Sequence, residues 1–262
     1  MTLTLVVTFW SGDAHRIPAL FKALALGNYQ GINQIVLVCS GTNYVISSYS
    51  ADILGIPNSC DFVVIESTIR RSQATARNLG ISAATSDLVS FHDGDDLPHP
   101  HKFLVVKHVF NSLEKLDWLC HDTVSTFDEL VNVPVSNVGL NLLTKPYATR
   151  YGEAPSFSES SSASGASALV LRARVLKTLR YSEKAEDYRH EDTEFIWRVF
   201  ANGFIGAFLQ VSLSTYVSSQ GCGSMNTRSI GDLEYFARFI DGDRESLIRY
   251  LTLRGAESLL NP

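Results

Sequence analysis

The chain has 262 residues, 45% of them hydrophobic and 19% charged, which is enough apolar material for a sizeable core. Its formal net charge is -5 and it contains no basic run, which argues against non-specific nucleic-acid binding. No apolar stretch reaches the roughly 18 residues that span a bilayer. The apolar run at residues 3–10 is too short for a signal peptide and has no basic residues before it, so we expect it to be a strand. The four cysteines form no C-x-x-C pair, so zinc ligation has no support.

Strand and helix patterns alternate along the first 116 residues. Continuous β-branched and aliphatic runs predict strands, buried on both faces, at residues 3–9, 35–38, 62–65 and 88–91. Helices are predicted after Asp13, which is placed to cap the first of them, and at residues 44–54, 73–84 and 101–116. This alternation predicts an α/β fold with a central, mostly parallel, doubly wound sheet flanked by helices, and ligands at the carboxyl ends of the strands.

The pattern is less regular after residue 117. Short strands are predicted at 118–121 and 168–171, an irregular segment at 124–138, a helix at 190–202, extended chain at 204–217 and one or two helices at 233–260. Residues 150–167 (RYGEAPSFSESSSASGAS) are rich in Ser, Gly and Pro, which predicts a mobile loop. We expect this loop to close over a bound ligand as a lid.

Three carboxylates follow the fourth predicted strand in the segment LVSFHDGDDLP. Asp93, Asp95 and Asp96 lie so close in sequence that their repulsion is costly unless a cation or ordered donors offset it. A hard divalent cation with oxygen ligands suits such a group. A solvated acidic turn has the same composition, and this segment alone does not separate the two interpretations.

Two further segments carry charged residues at informative positions. Glu191 and Asp192 fall in the first turn of the helix predicted at 190–202, where the helix dipole stabilises carboxylates; acidic residues are also common there for structural reasons. Arg77 lies on the helix that leads into the acidic strand. Its guanidinium group is able to bind a diphosphate in a bidentate manner or to form a surface salt bridge.

In order and spacing, these segments resemble the inverting glycosyltransferases of the GT-A fold, in particular glycosyltransferase family 2, which includes cellulose, chitin and hyaluronan synthases and bacterial polysaccharide enzymes. The matching segments are VTFWS at 7–11, ARNLG at 76–80, DGDD at 93–96, SGASALVLR at 164–172 and EDTEF at 191–195. The resemblance covers about residues 1–225. It implies a GT-A domain at residues 1–228, with residues 229–262 as a C-terminal helical extension packed on the same domain.

The resemblance also implies roles for individual residues. Asp192 matches the catalytic base, and Glu191 matches the neighbour that orients this base or the acceptor. Asp95 and Asp93 are implied as ligands of a divalent metal, Mn²⁺ or Mg²⁺. The residues implied to bind the donor are Thr8, Trp10, Arg77, Asp93, Asp96 and Gly165.

Two departures from the family pattern affect what can be inferred. Residues 38–41 read VCSG and lack the carboxylate that holds the nucleobase in many members, so the nucleotide is not fixed. Residues 216–223 read YVSSQGCG and lack a metal-binding histidine, so the metal is expected to depend on the aspartates, the donor diphosphate and water. The Q-x-x-R-W motif of the processive synthases is also absent, which implies a non-processive enzyme.

The implied function is transfer of one sugar, with inversion, from a UDP- or GDP-sugar to a hydroxyl of a glycan, lipid-linked or protein acceptor in polysaccharide or glycoconjugate synthesis. We expect the protein in the cytoplasm, either free or peripheral at the membrane. A haloacid dehalogenase-type phosphatase needs D-x-D after the first strand, whereas here the first strand is followed by no carboxylate until Asp13. A dinucleotide-binding oxidoreductase needs G-x-G-x-x-G after a strand, and this motif is absent. A GT-A protein that binds sugar nucleotides without turnover is the alternative, which donor hydrolysis would distinguish.

Overall fold

A computed structural model of the chain describes residues 1–41, 49–135, 148–149, 165–184 and 191–216. Its strands are β1 (Leu3–Trp10), β2 (Gln34–Ser40), β3 (Asp61–Ser67), β4 (Leu88–Asp93), β5 (Trp118–Val124), β6 (Ala148–Thr149), β7 (Leu169–Arg172) and β8 (Gly206–Thr215). Its α-helices are α1 (Ile17–Leu26), α2 (Gln73–Ala83), α3 (Lys102–Ser112), α4 (Phe127–Val131), α5 (Ala173–Thr178) and α6 (Glu191–Ala201). Short 3-10 helices span Ser11–Arg16 and Ala166–Ala168.

The described strands form one sheet in the order β3-β2-β1-β4-β7-β5-β8-β6. The first four strands pair in parallel, and β5 is parallel to β8. β7 runs antiparallel to both of its neighbours, β4 and β5, and β6 is antiparallel to β8. The predicted α/β fold with a mostly parallel central sheet flanked by helices is therefore confirmed.

Alternate residues of each central strand contribute to two apolar cores, one on each face of the sheet. In β1, Leu5 and Val7 belong to the core that includes residues of α1 and α3. Val6 belongs to the opposite core, which includes residues of α2, α5 and α6. Because both faces are covered, β1 and β2 are buried almost throughout, as their continuous apolar runs predict.

Two local predictions in the N-terminal half are wrong. Asp13 does not cap α1; it lies inside the 3-10 helix Ser11–Arg16, and α1 starts only at Ile17, where Pro18 favours the first helical turn. The helix predicted at residues 44–54 is not formed in its described part, where residues 51–55 are turns. Ser50 Oγ accepts the backbone N–H of Ile53, 3.2 Å away, and Gly55 follows with φ +66, so this turn does not extend.

Other predictions in the C-terminal half have mixed outcomes. The segment expected to be irregular at residues 124–138 contains α4, whose first turn is capped by Thr126. Residues 150–164 of the predicted lid and residues 229–262 of the predicted extension lie outside the described residues. Among the residues that the structure describes, none of the helices has the length and apolar character needed to cross a membrane.

Helix α2 approaches β1 closely at Gly80. A Cβ atom at this position would lie 2.2 Å from Cγ1 of Val6. We expect Gly80→Ala to lower the free energy of unfolding by about 1–3 kcal/mol, because overpacking forces side-chain or backbone shifts. Urea unfolding measures the change, and Ser82→Ala on the exposed side of α2 is the matched control. A Gly80→Ala protein as stable as the wild type would contradict this close packing.

Candidate active site

We call residues 93–96 (DGDD) the acidic turn; it lies at the carboxyl ends of β1 and β4. Thr8 of β1 is paired in register with Asp93 of β4, and the N–H of Gly94 donates to Thr8 O at 3.0 Å. The N–H of Asp96 donates to Asp93 O at 3.2 Å, which closes the turn. A Cβ atom on Gly94 would lie 2.8 Å from Cβ of Phe9, so the close approach of the turn to β1 favours glycine here.

Arg77 connects the acidic turn to the start of α6. Its side chain is 2% exposed, Nη2 lies 2.9 Å from Oδ1 of Asp93, and Nη1 lies 2.7 Å from Oε1 of Glu191. Burial opposes the charge on Arg77, but Asp93 and Glu191 outweigh this effect and hold its pKa well above the ordinary value. One guanidinium group thus joins two motifs that are almost a hundred residues apart in sequence, at Asp93 and Glu191.

Asn78, next to Arg77, fixes the chain that leads towards α6. Its amide Nδ2 donates to Tyr181 O at 2.9 Å, and its Oδ1 accepts the N–H of Tyr181 at 3.0 Å. The ring of Tyr181 stacks on Phe195 of α6 with 4.1 Å between the ring centroids. The A-R-N-x-G segment therefore positions α6 through Asn78 as well as through Arg77, and Gly80 allows α2 to lie close to the sheet.

Asp192 lies in the first turn of α6, beside Glu191, and is half-buried. Its negative charge adds to burial in raising the pKa of Cys120 in β5 and also favours the charged form of Arg77. The Asp192 carboxylate is thus within electrostatic range of Arg77 and of Cys120. Asp93, Glu191 and Asp192 therefore share one charged region around Arg77.

The surroundings of Asp95 disfavour its charged form. Burial, and then the charge of Asp93, raises its pKa to about 6. Arg16 lies beside it, with Nη1 3.7 Å from Oδ2 of Asp95. Both side chains are about one-third exposed, so this pair offsets little of the cost. No three His, Cys, Asp or Glu side chains within the described residues lie together as a potential metal site.

Trp10 forms an exposed aromatic surface at the end of β1. Trp10 is 37% exposed, and Cζ of Arg70 lies 4.3 Å from the centroid of its ring. Gly12 packs against the ring so tightly that a Cβ atom there would lie 2.2 Å from Cζ3. Ser11 Oγ donates to Gly41 O at 2.7 Å and ties this region to the end of β2. Trp10 and Arg70 thus present a stacked cationic and aromatic surface.

Other predicted donor-binding residues lie deeper in the protein. Thr8 is buried, and its Oγ1 lies 3.1 Å from Oε1 of Gln73 and 3.3 Å from Oδ1 of Asp93. Asp96 is buried, and its charge acts on Lys102 of α3. Gly165 is half-buried and immediately precedes the 3-10 helix Ala166–Ala168. Their contacts with a donor stay predictions.

Sequence reasoning missed a buried polar cluster on the other face of the sheet. Lys102 is fully buried, and burial lowers its pKa to about 7 against the opposing charge of Asp96. Burial, followed by the charge of Lys102, also keeps the pKa values of His92 and His121 well below the ordinary value. One signal for Lys102 was available, since it occupies the apolar face of α3 in the i, i+3, i+4 pattern with Val105 and Val106.

Comparison with known proteins supports both the family and the fold. Residues 13–131, slightly less than half of the chain, match the sequence profile of Glycosyl transferase family 2. No curated protein matches the sequence significantly. The resemblance to glycosyltransferase family 2 that the motifs indicate is therefore confirmed over these residues.

Similar solved structures are glycosyltransferases of the GT-A fold. TarS 1-349 of S. aureus in complex with UDP-GlcNAc has a TM-score of 0.68 and 14% identity, over 100% of this chain and 74% of that one. Mannosyltransferase PcManGT from Pyrobaculum calidifontis, in complex with GDP-Man and Mn²⁺, has a TM-score of 0.63 and 15% identity over 98% and 69%. Glucosyl-3-phosphoglycerate synthase from Mycobacterium tuberculosis, in complex with Mn²⁺, UDP and glucosyl-3-phosphoglycerate, has a TM-score of 0.53 and 14% identity over 97% and 80%. The GT-A fold of this chain is thereby confirmed.

Proposed function

We propose that the protein is a metal-dependent, inverting glycosyltransferase that moves one sugar from a nucleotide-diphosphate sugar to an acceptor hydroxyl without processivity. The observation that carries the proposal is the bridge from Arg77 to Asp93 and Glu191. It brings the acidic strand end and the acidic helix start into one region at the carboxyl ends of parallel strands, where open α/β sheets bind ligands. The family match at residues 13–131 supports the same activity.

The proposed donor is a UDP- or GDP-sugar, as in the complexes of TarS and PcManGT. Trp10 and Arg70 offer a surface for stacking a nucleobase, although no carboxylate follows β2 to accept its N–H groups. Asp93 and Asp95 are the carboxylates proposed to hold a divalent cation. Asp93 is paired with Arg77, but the repulsion that Asp93 exerts on Asp95 is only weakly offset by Arg16, so a cation would relieve it. When bound there, Mn²⁺ or Mg²⁺ would neutralise charge on the diphosphate leaving group.

In the proposed reaction, Asp192 accepts the proton of the acceptor hydroxyl as its oxygen attacks the anomeric carbon of the sugar. The bond from that carbon to the diphosphate oxygen breaks on the opposite side, so the configuration inverts and the nucleoside diphosphate leaves. Glu191, held by Arg77, fixes the first turn of α6 and with it the position of Asp192. We propose this positioning role for Arg77 in place of direct diphosphate binding, because both of its terminal nitrogens already bond carboxylates.

The function is tested by incubating the protein with a panel of UDP- and GDP-sugars and Mn²⁺ and measuring release of nucleoside diphosphate. We expect release from sugars of one nucleotide, since hydrolysis of the donor is the slow side reaction of a transferase lacking its acceptor. Nucleotide binding without any release, even with acceptors added, would favour the non-catalytic alternative. The absence of both binding and release would overturn the proposal.

Removal of the proposed metal ligand should weaken nucleotide binding. We expect Asp95→Ala to lower the affinity for UDP or GDP in Mn²⁺ at least about tenfold, a cost of about 1.4 kcal/mol, because the cation loses a carboxylate ligand. Calorimetry measures the affinity, and Asp13→Ala is the matched control because Asp13 also lies beside Arg16 but outside the acidic turn. Chelator should reproduce the loss in the wild type. Full activity in excess chelator would contradict metal dependence.

A further inference from the structure

Lys102 lies in a position where a charged side chain is unexpected. It is fully buried at the start of α3, on the face of that helix that also carries Val105 and Val106. Burial of an ammonium group is costly unless its hydrogen bonds are satisfied, and an apolar side chain of similar volume is often tolerated better. A lysine here therefore needs an explanation other than packing.

The hydrogen bonds of Lys102 converge on one carbonyl group. Its Nζ donates to Ser167 O at 2.5 Å and to Ser214 Oγ at 3.0 Å. The Ser214 hydroxyl itself donates to Ser167 O at 3.0 Å. We call Lys102, Ser167 and Ser214 the lysine cluster; all three residues are at most 2% exposed and come from three different segments of the chain.

The lysine cluster is connected directly to the acidic turn. Ser167 Oγ accepts the backbone N–H of Asp93 at 3.0 Å, so the residue held by Lys102 also holds the end of β4. Ser214 forms a β-bridge with Pro98, and the N–H of Leu97 donates to Thr215 Oγ1 at 2.7 Å. The turn from Asp93 to Asp96 is thus fixed on both sides by residues that contact or flank this cluster.

We infer that Lys102 is a positioning residue that sets the geometry of the acidic turn, and so its affinity for a metal–nucleotide ligand, by holding Ser167 against the backbone of Asp93. The effect on ligand affinity rests on the proposed function, whereas the effect of Lys102 on the geometry of the acidic turn does not.

The test compares Lys102→Met with the wild type. Methionine fills a similar volume without donating hydrogen bonds, so we expect thermal stability to be kept while amide exchange at residues 93–97 rises at least about tenfold. Calorimetry with UDP or GDP and Mn²⁺ should show affinity reduced at least about tenfold. Val109→Ala is the matched control, because it weakens the core beneath the same helix without changing the lysine cluster. It should leave amide exchange at residues 93–97 and nucleotide affinity unchanged.

A second variant tests the path through Ser167. Ser167→Ala removes the acceptor of the Asp93 N–H but leaves the carbonyl that Lys102 binds. If Lys102 acts on Asp93 through this residue, Lys102→Met should add little to the exchange already raised by Ser167→Ala. Full additivity of the two changes would overturn the inference.

The outcomes separate this inference from the proposed function. Unchanged exchange at residues 93–97 in Lys102→Met overturns the positioning role, whether or not nucleotides bind. A wild type that binds no nucleotide overturns the proposed function, and the exchange measurement still decides the positioning role. Faster exchange with unchanged affinity overturns the link to ligand binding. If Lys102→Met does not fold, Ser214→Ala removes one bond of the cluster, and unchanged exchange in that variant overturns the inference.

Discussion

Asp192→Asn should lower the rate of sugar transfer by about 10² to 10⁴ and leave the affinity for the nucleotide nearly unchanged. Asparagine keeps the shape and hydrogen-bonding capacity of the side chain but does not accept the proton of the acceptor hydroxyl. The nucleotide site and the half-buried Asp192 depend on different segments, since Trp10 and Asp93 lie at the ends of β1 and β4 while Asp192 lies in the first turn of α6. The substitution should therefore change the transfer rate without changing the affinity for the nucleotide.

Single-turnover transfer assays and calorimetry measure the two quantities. The matched control is Glu194→Gln, a carboxylate two residues further along α6 whose side chain is bonded to Arg198. We expect this control to keep most of the transfer rate, because the Glu194 carboxylate is held by Arg198. Loss of nucleotide affinity in Asp192→Asn equal to the loss of rate, or a rate within a few-fold of the wild type, would reject Asp192 as the base.

Arg77→Met should lower the free energy of unfolding by about 3–5 kcal/mol, because removal of one partner leaves a buried ion pair uncompensated. Both Asp93 and Glu191 lose their counter-charge in this variant. Arg77→Lys should recover only part of the loss, since a single ammonium group does not reproduce the fork that binds two carboxylates at once. Urea unfolding measures the change.

A double-mutant cycle identifies the source of this loss. Glu191→Gln removes the more deeply buried of the two carboxylates, so the Arg77→Met, Glu191→Gln double variant should be more stable than the two single losses predict. Arg174→Met is the control, because the Arg174 side chain is 55% exposed and its Nε forms an ion pair with Asp117. Its loss should be about 1 kcal/mol or less. Additive losses for Arg77 and Glu191 would show that the bridge does not couple them.

The regular part of the fold was predictable because its signals are local. Continuous apolar runs place β1 to β4, and the helix that becomes α2 is found within one residue of its observed end. The direction of β7 was not predictable, because a four-residue strand carries no mark of its orientation and pairing with β4 and β5 decides it. The expected cap at Asp13 failed because Pro18 shifts the helix start.

The sequence motifs identified residues of the candidate site, but they did not show which of these residues contact each other. The motifs select Arg77, Asp93 and Glu191, yet a single arginine in sequence gives no information about a partner 114 positions away. Arg77 was therefore expected either to bind a diphosphate or to form a surface salt bridge, whereas its buried side chain joins two parts of the protein. Lys102 was missed because a lysine at the start of an amphipathic helix is usually exposed, and its burial follows only from packing that the sequence does not show.

The place of β7 between β4 and β5 also matters while the chain is being synthesised. β1 to β4 are complete once Asp93 has emerged from the ribosome, but β4 receives its second neighbour only when residues 169–172 follow. During this interval the hydrogen-bonding edge of a nearly finished parallel sheet is open to other nascent chains. A pause or truncation before Leu169 would therefore favour aggregation, and binding by a chaperone during this interval would protect the folding chain.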